Sequence, residues 1–596
     1  MALAASVRIE IDGRKVRDFI SITISQNIPG PHDFTVSCRM DTFEESDDFL
    51  LNNSRKFIGL PIVIEIDGLK PKGEGTFQGL FFKGIVCTIK AVKSDLSHED
   101  TIVLQGFSPD YLLSDHPGCH SYENKTLSQI VTEVLKPYPR DILGSRVNPS
   151  YAEQIPWCVR FQESSIRFLQ RLAARYGEWI FYNGKELVFG PISSGTEDAT
   201  VGREIETLDF SLNLKASAFR YVAYDYMNAR VLEASADRNT GRSQQNEIGR
   251  YAFDQSAKRF PGNPVLEYPH LNADPSAWGK VLKTAMETGA SAIALGISCI
   301  EGNGEHLSLA PGRKIRIKAP KKEGAGFVDY GEYLVVATHH HCDELLNYTN
   351  SFSAVPVEAT VAPYADPEAV TRSEPQSAVV RDNKDPEKMG RVRVHFFWQE
   401  ENQTSPWIRM VNPYSAQERG FYFIPEIDDE VLVGFEGGNT EKPFVMGSLY
   451  NGKSKPPGAW ISNRNSFKGI ATKSNLQIEF DDDRKTTTIT TPGGNIVKIS
   501  DEEKSIVLQD QNSSKVELSP GGIVLDSSME ITLKAKTKIS LEGKAGVEIT
   551  SPANIRVSGL NVDNDAKVSY TASGKASAEV SASGTVTVKG AMVMIN

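Results

Sequence analysis

A mainly β protein is what the sequence predicts, in three successive parts: a long mixed base with a few helices, a small barrel, and a repeating β ribbon. Three observations carry that prediction. Segments such as "SVRIEIDG" and "LPIVIEIDG" alternate apolar and polar residues and end in Asp-Gly, as strands entering tight turns do. A compact run of short strands and turns fills about 379–450, with the length and spacing of a five-stranded OB-type barrel. From about 470 helical periodicity vanishes, and β-branched residues recur at fixed spacing among Ser, Thr, Lys and Gly.

The first 355 residues are mostly β with three helical interruptions. "KTLSQIVTEVLKPY" (125–138) places Leu127, Ile130, Val131, Val134 and Leu135 on one helical face, and Pro137 stops it. "ESSIRFLQRLAARYG" (163–177) repeats the pattern with Phe168, Leu169, Leu172 and Tyr176, with Gly177 as C-cap. "DPSAWGKVLKTAMETG" (274–289) offers Asp274 as N-cap, Pro275 at the first helical position and Gly289 past the end. Pro356, Pro363, Pro367 and Pro375 mark 355–378 as an extended linker rather than a packed element.

In the last part Ile531, Ile539, Val547 and Ile555 recur every eight residues, as do Leu533, Leu541, Ile549 and Val557. At "VSGLNV" (557–562) the parity flips, giving Leu560, Val568, Ala576, Gly584 and Met592, with Val562, Tyr570, Ala578, Val586 and Met594 as companions. Such a flip needs an irregular step, expected at Ser558-Gly559. Upstream, Ile506/Leu508 and Val516/Leu518 step by ten instead. An eight-residue strand with a corner has two or three inward side chains and cannot satisfy its own backbone edges. Three identical ribbons wound as a triangular prism solve both problems. At about 4.8 Å per layer the shaft would be on the order of 60 Å long. Its end, "VKGAMVMIN", is apolar on both faces, so Met592, Val593, Met594, Ile595 and Asn596 are the expected docking surface for a cap.

Length and charge set outer limits. At 596 residues the chain exceeds the roughly 250–300 that one core accommodates. A net charge of −11 argues against nucleic acid as a partner. No apolar run nears the roughly 18 residues of a membrane span. "MALAASVRIEIDG" has no signal-peptide pattern, so synthesis and folding in the cytoplasm are expected. The six cysteines are scattered, as buried reduced thiols are, and fit neither a zinc site nor a disulfide scaffold.

Several segments together resemble the VgrG family, the trimeric spike of the bacterial type VI secretion system. The most specific are "AVVRDNKDPEKMGRVRVHFFW" (378–398), "SPWIRMVNPYSAQERGFYFIPEIDDEVLVGFEGGN" (405–439) and "KPFVMGSLYNGKSKPP" (442–457). "QESSIRFLQRLAARYGEWIFY" (162–182) and "NSFKGIATKSNLQIEFDDD" (465–483) are similar to the family's helix and its entry into the needle. The resemblance implies a phage tail hub-like base of tandem β-barrels over 1–370, an OB-fold over 371–455, and a connector and triple-stranded β-helix needle over 456–596. It also implies a homotrimer seated in a baseplate on an Hcp-type tube, a PAAR-type tip protein with effectors at the needle end, and release into target cells.

Catalytic, cofactor and metal sites are not expected. "GSLYNGKSKPPG" (447–458) fits G-x-x-x-x-G-K-[ST], but Pro456 and Pro457 forbid the helix a phosphate loop must open. His339 and His341 in "THHHCDE" share a strand face, yet no third ligand converges in sequence. Phage-like spikes often carry an iron-binding H-x-H at the tip, but no histidine follows His395. Asp428-Asp429-Glu430 and Asp481-Asp482-Asp483 read as solvated turns. Residues 456–470 leave no room for a muralytic domain, and no effector domain is expected to trail the needle. The expected function is a non-enzymatic piercing spike. The alternatives are the spike of a phage or extracellular injection particle and, remotely, a secreted β-helical carbohydrate-acting enzyme.

Overall fold

The computed structural model describes residues 3–44, 51–68, 79–95, 100–237 and 239–595. Asn596, the last of the expected tip residues, lies outside them. The chain divides into two units, Met1–Lys455 and Pro456–Asn596.

The first unit lays down β1 (Leu3–Ile11), β2 (Ser21–Asn27), β3 (Asp33–Arg39), β4 (Pro61–Gly68), β5 (Leu80–Val92) and β6 (Thr101–Phe107). The helices α1 (Leu127–Leu135) and α2 (Ser165–Tyr176) follow, then β7 (Thr196–Thr200) and β8 (Ile205–Leu212). Next come α3 (Glu247–Arg259), α4 (Trp278–Leu295), β9 (Ser298–Gly304), β10 (Lys314–Pro320), β11 (Phe327–Asp343) and β12 (Asn347–Pro356).

These strands close two barrels that share one hairpin. The first runs β11–β2–β3–β6–β5–β4–β1–β12 and returns to β11. The second runs β7–β10–β11–β12–β9–β8, and a bridge between Val201 and Ile205 completes it. β11 is long enough to serve both. Its first half pairs with β10 and its last seven residues pair with β2, with a bulge at Val336 where the handover occurs. Strict alternation fills each interior: Ile22, Ile24, Phe34, Val36, Ile62 and Ile64 in the first, Ile315, Ile317, Tyr333 and Phe352 in the second.

The helices follow local sequence rules. Thr126 caps α1 through a reciprocal capping box with Gln129, and the five expected apolar residues are all buried. Ser164 caps α2, and Gly177 closes it at φ +70°. The third expected helix ends later than Gly289. Asp274 caps a 3-10 turn over Pro275–Ala277, and α4 then runs on to Leu295. Gly289 sits mid-helix because Phe219 and Pro367 press on it, 3.3 and 3.5 Å from where a Cβ would stand. α3 was not expected: its buried face is Gly249, Ala252, Phe253 and Ser256, too small to give an apolar period. The proline-rich segment is packed rather than a free linker. The Tyr364 hydroxyl accepts from Ile180 N at 2.6 Å and donates to Glu178 O, and Asp366 N donates to Ala174 O.

A four-stranded sheet follows, made of β13 (Gln376–Asp382), β14 (Arg393–Phe396), β15 (Glu430–Phe435) and β16 (Pro443–Ser448) in the order β14–β13–β15–β16. The expected fifth strand is reduced to two bridges, Val392 to Ile408 and Met410 to Val445, which link the sheet's two edges. Its core of Val380, Val394, Phe396, Val431 and Val433 also takes in Trp157 from the hub.

The second unit holds an antiparallel meander of seven strands: β17 (Phe467–Ala471), β18 (Gln477–Asp481), β19 (Thr486–Thr490), β20 (Ile496–Ser500), β21 (Ser505–Gln509), β22 (Lys515–Ser519) and β23 (Gly522–Asp526). The ten-residue step in the sequence is therefore a hairpin step. Over 467–526 each strand pairs with the next in its own chain, a hairpin meander inside the stretch expected to hold the connector and needle. From 527 to 595 the chain is extended and forms no strand pairing among the described residues.

Candidate functional site

The meander sorts its side chains by face. Directly opposed residues make one row of Ile470, Ile478, Ile489, Val497, Leu508, Val516 and Leu525. Beside it, on the same face, run Phe480, Thr487, Ile499, Ile506, Leu518 and Ile523. The central row of the other face is mainly polar, with Glu479, Thr488, Lys498 and Glu517. There Lys498 pairs with Glu503 at 2.6 Å and Lys515 with Glu517 at 2.9 Å. The Lys498 hydrogen bond holds the Glu503 carboxyl below its ordinary value. None of the described residues covers the apolar face: Ile489 is 44% and Ile499 48% exposed. It forms an open depression of about 690 Å³, reached at its end by Ile531 of the extended segment.

The extended segment keeps time. The chain bends at 536–537, 544–545, 552–553, 560, 567–568, 575–576, 583–584 and 591. Each apolar residue of the series Ile531, Ile539, Val547, Ile555, Val562, Tyr570, Ala578 and Val586 stands five residues before a bend. The parity flip is a single shortened corner, at Leu560 rather than at Ser558-Gly559, where the bend takes one residue instead of two. Val568, Ala576 and Gly584, read as an inner series, stand at corners. Large apolar side chains along the segment are exposed. At its end Met592, Val593, Met594 and Ile595 are consecutive and exposed, Ile595 at 92%.

In the first unit the hub meets the OB barrel at a buried ionic knot. Glu441, on the loop before β16, binds Arg175 of α2 and accepts from Asn272 Nδ2 at 2.8 Å and from Val159 N at 3.3 Å. Arg171 approaches at 3.8 Å while gripping Glu163 at 2.8 Å. Burial alone would raise the Glu441 carboxyl, but the two guanidiniums outweigh it and hold it below its ordinary value. No sequence signal marks this glutamate as a buried one.

The other sequence candidates are structural. His340 is buried in the first barrel, bound to Tyr348 OH at 2.7 Å and to Thr338 and Gln26, and burial lowers its pKa to about 3. His339 is exposed and meets Ser25, and His341 is half-buried. Among the described residues no group of three or more His, Cys, Asp or Glu could hold a metal ion. At 451–454 the amides of Lys453 and Ser454 donate to Asn451 Oδ1, which occupies the groups a phosphate would need. Asp481 ends β18 at its hairpin turn, and Asp428 sits in the turn that precedes β15. The six cysteines are free, with Cys38, Cys158 and Cys342 buried.

Comparison with known proteins bears mainly on the first unit. Residues 26–345 match the phage tail baseplate hub (GPD) family, and residues 376–450 match the type VI secretion system/phage-baseplate injector OB domain. The type VI secretion system spike protein VgrG1b of Pseudomonas aeruginosa is 21% identical over 63% of this chain and 52% of its own length. The actin cross-linking toxin VgrG1 of Vibrio cholerae is 25% identical over 51% of this chain and 29% of its own length. The chain spans about half the length of several curated relatives it matches. Among solved structures, the Francisella PdpA–VgrG complex aligns with a TM-score of 0.51 over 88% of this chain and 80% of that one, at 10% identity, a likeness of fold. With the hub match alone spanning more than half of its length, the chain belongs to the phage tail baseplate hub family.

Proposed function

We propose that the protein is the non-enzymatic spike of a type VI secretion machine and works as a homotrimer. The observation that carries this reading is the unpartnered second unit: an apolar sheet face, then a segment bending every eight residues with its edges unpaired. Two further copies would cover that face and pair those edges. Taking a half-exposed Ile or Leu out of water contributes on the order of 1 kcal/mol, repeated along two rows. The hub seats the trimer in a baseplate on an Hcp-type tube, and Met592 to Ile595 seat a PAAR-type tip protein with its effectors. Assembly takes place in the bacterial cytoplasm, followed by injection into target cells, where the shaft pierces membranes by stiffness.

Light scattering on the purified protein tests the trimer. The expected mass is three times 65.6 kDa, and a stable particle of 65.6 kDa overturns the reading. The tip is tested with Met592→Asp and Met594→Asp together. The trimer mass should persist while capture of a PAAR-type protein is lost.

A further inference from the structure

A ribbon of eight-residue repeats has a problem of alignment. If one of three copies slides along the others by a whole repeat, apolar residues still meet apolar residues, so the period alone leaves the register weakly specified. A unique mark is needed.

Within 531–590 the pattern breaks twice, in adjoining repeats. The corner at Leu560 takes one residue where the others take two. The second break is chemical. Alternation puts the residues three and five before each bend on one face. Val562 and Val586 on that face are about half exposed in the single chain, whereas Leu560 and Val568 at corners are fully exposed, which marks the face as the inner one. The series Leu533, Leu541, Ile549 and Val557, three before each bend, continues past the short corner as Asn564, Ala572, Val580 and Val588. Asn564 is the one amide at these inner positions, which are otherwise aliphatic or, at Tyr570, aromatic.

We propose that Asn564 sets the axial register of three copies of this chain, the three amides meeting at one level of the shaft. This rests on the trimeric reading above. Threefold symmetry holds the same residue of each copy at one height and one distance from the axis. An amide carries both donor and acceptor, so three can close a ring in which each donates to the next. Slide one copy by a repeat, and Val557 or Ala572 takes the place of its Asn564. The other two amides lose a partner, and the displaced amide is buried among apolar residues without one. The short corner also falls out of step. A single polar layer in an apolar seam fixes alignment in coiled coils by the same means, at some cost in stability.

Hydrogen exchange read by mass spectrometry on the full-length protein tests the register. In the unmodified protein, peptides over 578–590 should show one protected population. Asn564→Val should keep the mass of three copies but add a second, fast-exchanging population there, because a displaced copy leaves an end repeat without neighbours. Moving the polar layer, with Asn564→Val and Val580→Asn together, should restore the single population. Asn564→Cys checks that the side chains meet: oxidation with diamide should give a band of twice the chain mass that the unmodified protein, with its own six cysteines, does not give. One population in Asn564→Val, two in the double variant or in the unmodified protein, or no such band each overturns the inference. A single-chain mass for the unmodified protein overturns instead the trimeric reading beneath it.

Discussion

Ile64 and Ile499 occupy the same local setting, mid-strand on the apolar face of an antiparallel sheet, and meet opposite fates. Ile64 is completely buried, while Ile499 is 48% exposed. The difference lies in closure. In the first unit the β11–β12 hairpin returns the sheet onto itself, so every inward side chain meets another. Among the described residues the seven strands of the second unit have two free edges and no opposing layer. Alternation fixes which face is apolar; connectivity decides whether one chain can bury it.

The comparison breaks most sharply under a charge. Ile64→Asp places an unpaired carboxylate in the barrel and should cost more than the domain's net stability, leaving no folded soluble protein. Ile499→Asp, with Ile506→Asp opposite it, should leave the hub's thermal transition in place and reduce the particle to a single-chain mass. If the double variant keeps its assembled mass, the meander face is not where copies meet.

Next in size is the ionic knot. Glu441→Gln leaves the buried Arg175 uncompensated, and breaking such a pair from one side costs about 3–5 kcal/mol. Denaturant melts of the hub should show the loss, with the assembled mass unchanged while the protein is folded. Among the described residues the second unit has no counterpart: its ion pairs there are at least partly exposed.

Acid separates the units for the same reason. Burial holds His32 and His340 near pKa 3 and, helped by Arg175, His270 near 4. The unfolded chain therefore binds more protons below its histidine pKa of about 6.5, and stability falls as pH falls. From pH 7 to 5 each histidine removes about 2 kcal/mol. Asp110, pushed up to about 6 by burial, works the other way and returns about 1 kcal/mol over the same window. Hub stability should drop by about 4–5 kcal/mol, and His340→Gln should flatten the profile by its share. An acid-independent hub melt would mean that these histidines reach water.

Much of this architecture was legible in the sequence, and the failures have physical causes. The α1 and α2 faces were readable because Leu, Ile and Phe carry the helical period, whereas α3 buries one large apolar residue, Phe253, among Gly249, Ala252 and Ser256, and one residue makes no period. The eight-residue corners were readable because β-branched residues mark each turn of the ribbon. The ten-residue step was equally visible, but strand spacing alone does not say whether the neighbour is the same chain or another. Pro363 and Pro367 suggested a free linker because proline marks extended chain whether or not a tyrosine such as Tyr364 anchors it. The Glu441 knot joins segments more than 150 residues apart, beyond the reach of any local pattern.

The smallest effect tests whether the two units can be tuned separately. Ser164 ends a strand and starts α2, its hydroxyl accepting from Arg167 N while its backbone stays extended. Ser164→Ala removes one acceptor from a helix whose inner face carries Arg171 and Arg175, and caps of this kind contribute about 1 kcal/mol. The melting midpoint of the hub should fall by a few degrees. Because the change frays only the first turn, two turns from Arg175, the Glu441 contact and the assembled mass should both survive. A collapse of assembly from so slight a change would place α2 at a contact between copies, and would move part of the burden of holding them together from the second unit to the first.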